Sequence, residues 1–432
     1  MDAVWPPVPP AVVGRDALPP QPDLPKVKVL HVITRFIAGS GGNTLLSATG
    51  MDRDQYELWV AAMPGGPLWE QAERCGVRTV HVRHMREQIS PVHDLLACFE
   101  LARLMRRERF SVVHTHCSKA GVIGRVAARI ARVPAVVHTF HIFAAHEGLP
   151  RWRRWVYLAL DRLVRSFAQR YVAVAPRVAW EAVEQRIAPA GTTVVVPSAI
   201  ELAGVPHRPD PAVVRAELGV PEHAPLVGTV GRIVAQKAPL DFVRMAAQVR
   251  AARPDAEFVM VGDTTLESAS LEAETRREAK RLGVPIRFTG FRPDAPQIAA
   301  CLDVYVVPSR YEGLGRAVTE AMASGRPVVA TAVNGVPDLV EPGATGLLAR
   351  PGDPASLAAS VLWMLDHPDA ARRMGAQGRE RVRRYFGQPQ MCRALDRIYR
   401  ELLGLPDLAV VNEHNAAEYQ PATPNGRPLR MV

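Results

Sequence analysis

The feature that most constrains this chain is a rhythm of short apolar runs separated by stretches of helical periodicity. The first series of runs is Val27–Thr34, Tyr56–Met63, Thr79–Arg83, Ser111–His116, Ala135–His141, Arg170–Ala175 and Thr193–Pro197. Helical patterns lie between them, for example at Pro91–Arg107, Lys119–Arg132 and Trp152–Ala168. A composition break follows at His207–Val214. A second series then begins: Leu226–Val230, Phe258–Val261, Ile286–Thr289, Val304–Val307, Val328–Ala330 and Gly346–Ala349. Its helical patterns include Pro239–Ala252, Leu271–Leu282 and Gly315–Ser324. Runs that stay apolar on successive residues are strands covered on both faces, as in parallel sheets. Two such series imply an α/β chain with two Rossmann-like domains, residues 26–206 and 207–387. Residues 1–25 are proline-rich and read as an extended or disordered lead. Residues 404–432 carry little periodicity and read as a tail.

Composition narrows the class. The 432 residues are 48% hydrophobic and 22% charged, as in an ordinary soluble globular protein. Net charge is +10 and nearly all of the excess is arginine, with lysine only at 26, 28, 119, 237 and 280. Such a balance suits either a soluble protein rich in arginine or a surface attracted to anionic substrates, lipid head groups or nucleic acid. No nucleic-acid motif accompanies the basicity, so no nucleic-acid partner is expected. The five cysteines are widely spaced without a CxxC, which predicts free thiols and a reducing, cytoplasmic setting. The start, MDAVWPPVPP, lacks the basic and apolar regions of a signal peptide. No apolar run reaches the roughly 18 residues expected of a membrane-spanning helix.

Ligands of open parallel sheets bind at the carboxyl ends of strands, so candidate chemistry is sought there. After the first run, Gly39, Gly41 and Gly42 form a loop leading into a helix. The loop is either a phosphate cradle or a plain tight turn, since it lacks both the dinucleotide spacing and a Walker lysine. After the first run of the second series, GRIVAQK carries Arg232 and Lys237. A guanidinium fork and an ammonium point charge together suit a pyrophosphate, against the alternative of an ordinary solvated loop. Further on, SRYEGLGRAVTEAMASG holds Glu312, the turn Gly313-Leu314-Gly315, and Arg316 and Glu320 on a helix. The turn amides and the helix dipole favour a phosphate oxygen or a sugar hydroxyl. Glu312 can accept from sugar hydroxyls. Glu320 either sits on the buried side and holds ribose hydroxyls or pairs with Arg316, its i−4 neighbour.

Three other features need weighing. His114 and His116 share one face of a strand, and HTFH supplies His138 and His141. No carboxylate or cysteine is spaced to complete a metal set with them, so no metal is expected, and a histidine at the end of the fifth strand can instead contact a reacting sugar. The D-x-D of Asp52 and Asp54 lies before the second strand, on the wrong side of the sheet for a diphosphate, and reads as a turn. Arg151–Arg165 interleaves arginines with Trp152, Trp155 and Tyr157, which suits an anionic membrane surface or a core-packed helix with a basic outer face.

The set GSGGN, HTHCSKAG, HTFH, GRIVAQK, FTGF, VVPSRYEGLGRAVTEAMASGRPVVAT and GVPDLV resembles glycosyltransferase family 4, retaining enzymes of the GT-B fold, in which two Rossmann-like domains face each other across a cleft. The resemblance spans residues 26–403. It implies that Arg232 and Lys237 bind the donor diphosphate, that Glu312 meets the donor sugar and Glu320 the nucleotide ribose, and that the backbone of Gly313, Leu314, Gly315 and Arg316 meets phosphate or sugar. Gly41 and Gly42 would cover the phosphate, and His141 would lie beside the transferred sugar. Residues 388–403 would form a helix crossing back to the first domain. The implied donor is a nucleoside-diphosphate sugar, with UDP-sugar favoured, and no cofactor or metal. The implied acceptor is a lipid-linked glycan, a polysaccharide or a small molecule, met in the cytoplasm or at the inner membrane face. A nucleotide-sugar epimerase and a silent sugar-nucleotide binder are the rival readings. Two departures stand out: Ala238 occupies the family's usual glycine position, and Asn43-Thr44 follows the glycine loop.

Overall fold

The structure, a computed structural model, describes residues 26–37, 39–142, 151–202, 210–264 and 268–406. The lead 1–25 and most of the tail expected at 404–432 lie outside the described residues. The first half runs β1 (Val27–Val32), α1 (Ser40–Thr49), β2 (Tyr56–Ala62), α2 (Leu68–Arg74), β3 (Arg78–His81), α3 (Pro91–Glu108), β4 (Val112–His116), α4 (Ser118–Ala131), β5 (Ala135–Phe140), α5 (Arg151–Leu163), β6 (Arg170–Ala173), α6 (Pro176–Glu184) and β7 (Thr193–Val195). The second runs α7 (Pro211–Glu217), β8 (Leu226–Val230), α8 (Pro239–Ala252), β9 (Glu257–Val261), α9 (Ala269–Arg281), β10 (Ile286–Phe288), α10 (Ala295–Cys301), β11 (Val304–Val307), α11 (Arg316–Ala323), β12 (Val328–Thr331), α12 (Val336–Leu339) and β13 (Leu347–Ala349). Three helices close the described chain: α13 (Pro354–Asp366), α14 (Pro368–Tyr385) and α15 (Gln388–Leu403).

Local sequence explains many boundaries. Proline stands in the first turn of α3, α6, α8, α13, α14 and α15, where its missing N–H costs no helical bond. Asp353 caps α13 by accepting from the Ser356 N–H at 3.0 Å. Gly404 closes α15 in the left-handed conformation.

Both sheets are parallel throughout, in the order β3-β2-β1-β4-β5-β6-β7 and β10-β9-β8-β11-β12-β13. In each, the order reverses beside the first strand of its half, between β1 and β4 and between β8 and β11. Such a reversal leaves a crevice beyond the carboxyl ends of the two strands. The apolar runs overshoot β1 by Ile33 and Thr34 and β5 by His141, because these residues already leave the sheet for that crevice.

The last helix returns to the first sheet. Met391, Cys392, Leu395, Ile398 and Tyr399 of α15 join the core formed by β1, β2, β4 and α1. Polar contacts fix it there: Gln388 Nε2 donates to the Leu46 carbonyl at 2.9 Å and the Tyr56 hydroxyl to Asp396 at 2.6 Å. The chain crosses between the halves twice, and the crossings pair, with Ile200 N–H donating to the Phe386 carbonyl at 3.0 Å and Gln388 N–H to the Ile200 carbonyl at 3.2 Å. None of the five cysteines forms a disulfide, and Cys98, Cys301 and Cys392 are buried. Asp52 accepts from the Asp54 N–H and from Gln55 at 2.9 Å each, so the D-x-D forms the turn that starts β2.

Candidate active site

The second sheet contributes two neighbouring loops. The first leaves β8 through Arg232, which is exposed, and makes one 3-10 turn at Ala235–Lys237. Ala238 then takes φ 47° and ψ 56°, the left-handed conformation that favours glycine. Alanine in the family's glycine position therefore carries backbone strain. The second loop leaves β11 through Ser309 to Gly315. Its Arg310 N–H donates to the Gln236 carbonyl at 2.8 Å, and Gln236 Nε2 donates to the Tyr311 carbonyl at 3.0 Å. The two loops are thus joined, and the join brings Lys237 against the Glu312 carboxylate as an ion pair. Glu312 is buried, its carboxylate accepts from the Ser309 hydroxyl at 2.7 Å, and its N–H donates to Asn334 Oδ1 at 3.0 Å.

Gly315 caps α11 at φ 99°, and no side chain caps the helix, so its first amides stay open. Glu320 departs from the expectation of a buried-side carboxylate. Val318, Thr319, Ala321 and Met322 take the buried positions of α11, while the Glu320 side chain is 53% exposed and meets Arg316 at 3.2 Å. The i,i+4 ion pair is thus the alternative observed in this structure.

The first sheet contributes His141 and the glycines after β1. Of these, Gly41 and Gly42 lie in the first turn of α1 and not in a loop before it, since the helix already starts at Ser40 behind the N-cap Gly39. A β-carbon on Gly41 would come within 3.2 Å of the Phe36 backbone, and one on Gly42 within 2.7 Å of Arg316 Nη1. That Nη1 is enclosed and has no hydrogen-bond partner. A β-carbon on Gly313 would overlap the carbonyl oxygen of His141. Only glycine at 313 lets the halves approach this closely. Asn334, besides holding Glu312, donates to Glu181 across the cleft at 3.3 Å. Gly42, His141, Lys237, Glu312, Gly313 and Arg316 therefore meet in one cleft, with Arg232 at the start of the Lys237 loop and Glu320 on its rim. Asn43 serves the fold, since its Oδ1 accepts from the buried Ala199 N–H at 3.0 Å. Lys119 is likewise structural, paired with Asp94 at 2.7 Å.

His141 does not stand alone. His31 of β1 pairs in register with His114 of β4, so both rings project from the same face, joined by His116 two residues on. Ring nitrogens of His31, His114 and His116 lie within 4.8 Å of one another. The contacts favour hydrogen bonding over an ion. His31 Nδ1 and His116 Nε2 are 3.0 Å apart with ring centres 5.2 Å apart, the spacing of rings that meet nitrogen to nitrogen. His114 is occupied by the Tyr399 and Thr139 hydroxyls, each at 2.6 Å. Burial pushes His31 down to about 3, and burial with the nearby Arg316 cation pushes His141 down to about 4. His114, His116 and His138 lie well below the usual histidine range for the same first reason. Asn334, Ser309 and His31 are absent from the sequence-derived candidates. The NG dipeptide at 334–335 marks only a turn, and a lone histidine in an apolar strand gives no sign of its partners.

Two family models match the chain. Residues 39–199 match a glycosyl transferase 4-like domain, and residues 224–367 match the glycosyl transferases group 1 domain. A 2-deoxystreptamine glucosyltransferase of Streptomyces kanamyceticus is 31% identical over 67% of this chain and 77% of its own. The chain belongs to the group 1, family 4-type glycosyltransferases. Among its other relatives is the UDP-Gal:alpha-D-GlcNAc-diphosphoundecaprenol alpha-1,3-galactosyltransferase of Escherichia coli, 28% identical over 76% of this chain and 85% of that protein. The solved Anabaena protein HepE, in complex with UDP and glucose, matches with a TM-score of 0.74 at 21% identity, over 88% of this chain and 100% of that one. That likeness identifies the fold as GT-B. This glycosyltransferase accordingly has two parallel-sheet domains meeting at a cleft, and it is a sugar-transferring enzyme.

Proposed function

We propose that this glycosyltransferase moves a sugar, with retention, from a UDP-sugar to a hydroxyl of a lipid-linked or other glycan acceptor, and that it does so without a metal. The observation that carries the reading is the cationic character of the cleft: Arg316 Nη1 is enclosed without a partner beside Gly42, and Lys237 is held ready by Glu312. The diphosphate lies against Arg232, Lys237, Arg316 and the open amides of α11, with Gly41 and Gly42 covering it. Charge developing on the leaving phosphate is met by groups already in position, which is usually the largest catalytic contribution. Glu312 reads sugar hydroxyls, and Glu320 turns from Arg316 to the ribose. Glu312 is already tied to Lys237 and Ser309, so it is a poor free nucleophile, which favours front-face attack by the acceptor over a double displacement. His141 lies beside the transferred sugar. The choice of UDP draws on what two similar proteins are named for: UDP-Gal in the Escherichia coli relative and bound UDP in HepE. The relatives are named as transferases, which gives neither rival reading support.

The test is a thermal-shift series with UDP, GDP and ADP, because a ligand of the folded state stabilises it, by about 2–3 kcal/mol at a hundredfold excess over Kd. UDP should shift the wild type most and Lys237→Ala least. Equal shifts by the three nucleotides would remove the base assignment. NMR of the glycoside product checks retention directly.

A specific observation favours a peripheral membrane setting for the acceptor side. Among the described residues no helix is long and apolar enough to cross a membrane. Yet Val92, Leu95, Leu96 and Phe99 of α3 are exposed at i, i+3, i+4 and i+7, Val92 by 68%. Trp152, Trp155 and Leu163 of α5 form a second exposed stripe, Trp155 by 67%, beside Arg151 and Arg162. Helix α4 lies between them, joined to α3 by Lys119–Asp94 and to α5 by Arg125–Asp161 at 2.6 Å. Apolar stripes bordered by arginine suit the interface of an anionic bilayer. Sedimentation with anionic vesicles should fall when Trp155 and Phe99 become serine, and arginine-to-glutamate changes at 151 and 162 should weaken it further. Unchanged sedimentation in both variants would remove the membrane contact.

A further inference from the structure

The histidines behind His141 form a directed chain. His116 Nδ1 lies 3.0 Å from His141 Nε2, and His116 Nε2 lies 3.0 Å from His31 Nδ1. Ring centres are 5.3 and 5.2 Å apart, so each ring meets the next edge to edge. A neutral imidazole has one N–H and one bare nitrogen, and each contact needs one of each. The three tautomers are therefore locked in series: setting one sets all. Burial keeps all three rings neutral near pH 7.

The closed end of the chain sets its direction. His31 Nε2 is enclosed and has no partner. An enclosed N–H without an acceptor is among the rarest arrangements in folded proteins, rarer than an unmet acceptor. The His31 proton therefore sits on Nδ1 and is donated to His116 Nε2. His116 must then carry its proton on Nδ1 and donate it to His141 Nε2. His141 in turn carries its proton on Nδ1, its remaining ring nitrogen, on a residue that keeps 7% of its surface open.

We propose that His31 and His116 are positioning residues that hold His141 as the Nδ1–H tautomer, a fixed neutral donor to an oxygen of the sugar being transferred. This rests on the reading that His141 meets that sugar. A neutral donor suits the step: it can orient a hydroxyl or ring oxygen without setting a full cation beside an oxocarbenium-like centre. No proton needs to move along the chain. The chain acts by preventing the other tautomer, which would offer the sugar an acceptor.

The experiment uses the full chain labelled with 15N-histidine, and long-range 1H–15N correlation to read each ring's tautomer. His141→Gln assigns the His141 signals. The expected pattern is a protonated Nδ1 and a bare Nε2 for His141 and for His116. A His141 ring that is Nε2–H, or an equal mixture of the two forms, overturns the proposal. In His116→Phe, His141 should become a tautomer mixture, and kcat should fall about 10- to 100-fold, the usual cost of removing an orienting partner, with donor KM little changed. His116→Gln should restore both the spectrum and most of the rate, because its carbonyl can accept from His31 and its amide can donate to His141. A wild-type His141 pattern in His116→Phe would overturn the chain itself. A mixed pattern with full kcat would leave the chain intact and overturn the sugar contact of His141. Should His116→Phe fail to fold, the wild-type spectrum and His116→Gln still decide.

Discussion

The two carboxyl edges that meet at the cleft are made of opposite materials. The edge of the second sheet is charged: Lys237 against Glu312, Arg316 beside an open helix start, and Arg232 at the loop entrance. The edge of the first sheet is neutral: four buried histidines, His31, His114, His116 and His141, with His138 on the opposite face of the sheet, all far from protonation near pH 7, and glycines in place of side chains. One fold has thus produced two kinds of site at equivalent positions. The division matches the proposed chemistry. A departing diphosphate gains negative charge and is best met by fixed cations. A sugar that gains positive charge is better held by donors that carry none.

The largest effect should come from acid, and it should strike only one side. An unfolded histidine takes up a proton near pH 6.5, whereas these folded ones resist until about 3 for His31 and about 4 for His141. Below pH 6.5 the unfolded state therefore binds more protons than the folded state. Stability is full above that pH and falls as pH drops toward the folded values. The slope is roughly 1 kcal/mol per histidine for each pH unit, and five histidines act together, so a stability of about 5–15 kcal/mol is used up within a few units. Calorimetry between pH 7 and 4 should find the transition of the first half collapsing while that of the second half changes much less. Equal acid sensitivity of both halves would break the comparison.

The charged side should fail by a different route. Lys237→Ala removes a cation from the proposed diphosphate site and also leaves Glu312 buried without its ion pair. We expect kcat/KM to fall about 10²- to 10³-fold, with the fold retained. Glu312→Gln should cost less than Glu312→Ala, because the amide still accepts from Ser309. The double variant Lys237→Ala/Glu312→Ala should be less impaired than the product of the singles, since neither partner is then left alone. Strict additivity in that cycle would mean that the pair is incidental.

The contact between the two sides can be tested separately. Gly313→Ala places a methyl group where the His141 carbonyl oxygen now lies. Both halves should fold, because the clash lies between them. The cleft should widen in solution scattering, and kcat should fall about 10²-fold, the scale of a 1 Å misplacement at a reacting centre.

Much of this is legible in the sequence, for a physical reason. Strands covered on both faces must be apolar on successive residues, so the runs at 226–230 and 304–307 coincide with β8 and β11. Because the crevice lies beyond strand ends, locating the strands also locates Arg232, Lys237, Glu312 and the Gly313–Gly315 turn. What cannot be read are contacts between residues far apart in the chain. Nothing near Glu312 in sequence announces Asn334, and nothing in VKVLHV marks His31 as the end of a chain that reaches His141. The side of Glu320 is not legible either, because one turn of helix offers two faces, and only the packing of Val318 and Met322 decides between them.

The smallest expected effect concerns the loops that begin each half. In both, the residue that caps the helix after the first strand has positive φ: Gly39 at 77° before α1 and Ala238 at 47° before α8. Glycine takes such a conformation freely, whereas an L side chain costs roughly 1–2 kcal/mol. The charged side therefore holds a strained backbone next to Lys237, where the neutral side has glycine at the equivalent position and carries its own positive-φ side chain elsewhere, at Cys117 after β4 (φ 60°). Ala238→Gly should stabilise the second half by about 1 kcal/mol once the greater freedom of glycine in the unfolded chain is subtracted, raising its melting temperature by about 2–4 °C. Gly39→Ala should destabilise the first half by a similar amount. If Ala238→Gly also lowers kcat, the strain serves to aim Lys237, and alanine at this position is part of the catalytic geometry; if kcat holds, the strain is only a cost.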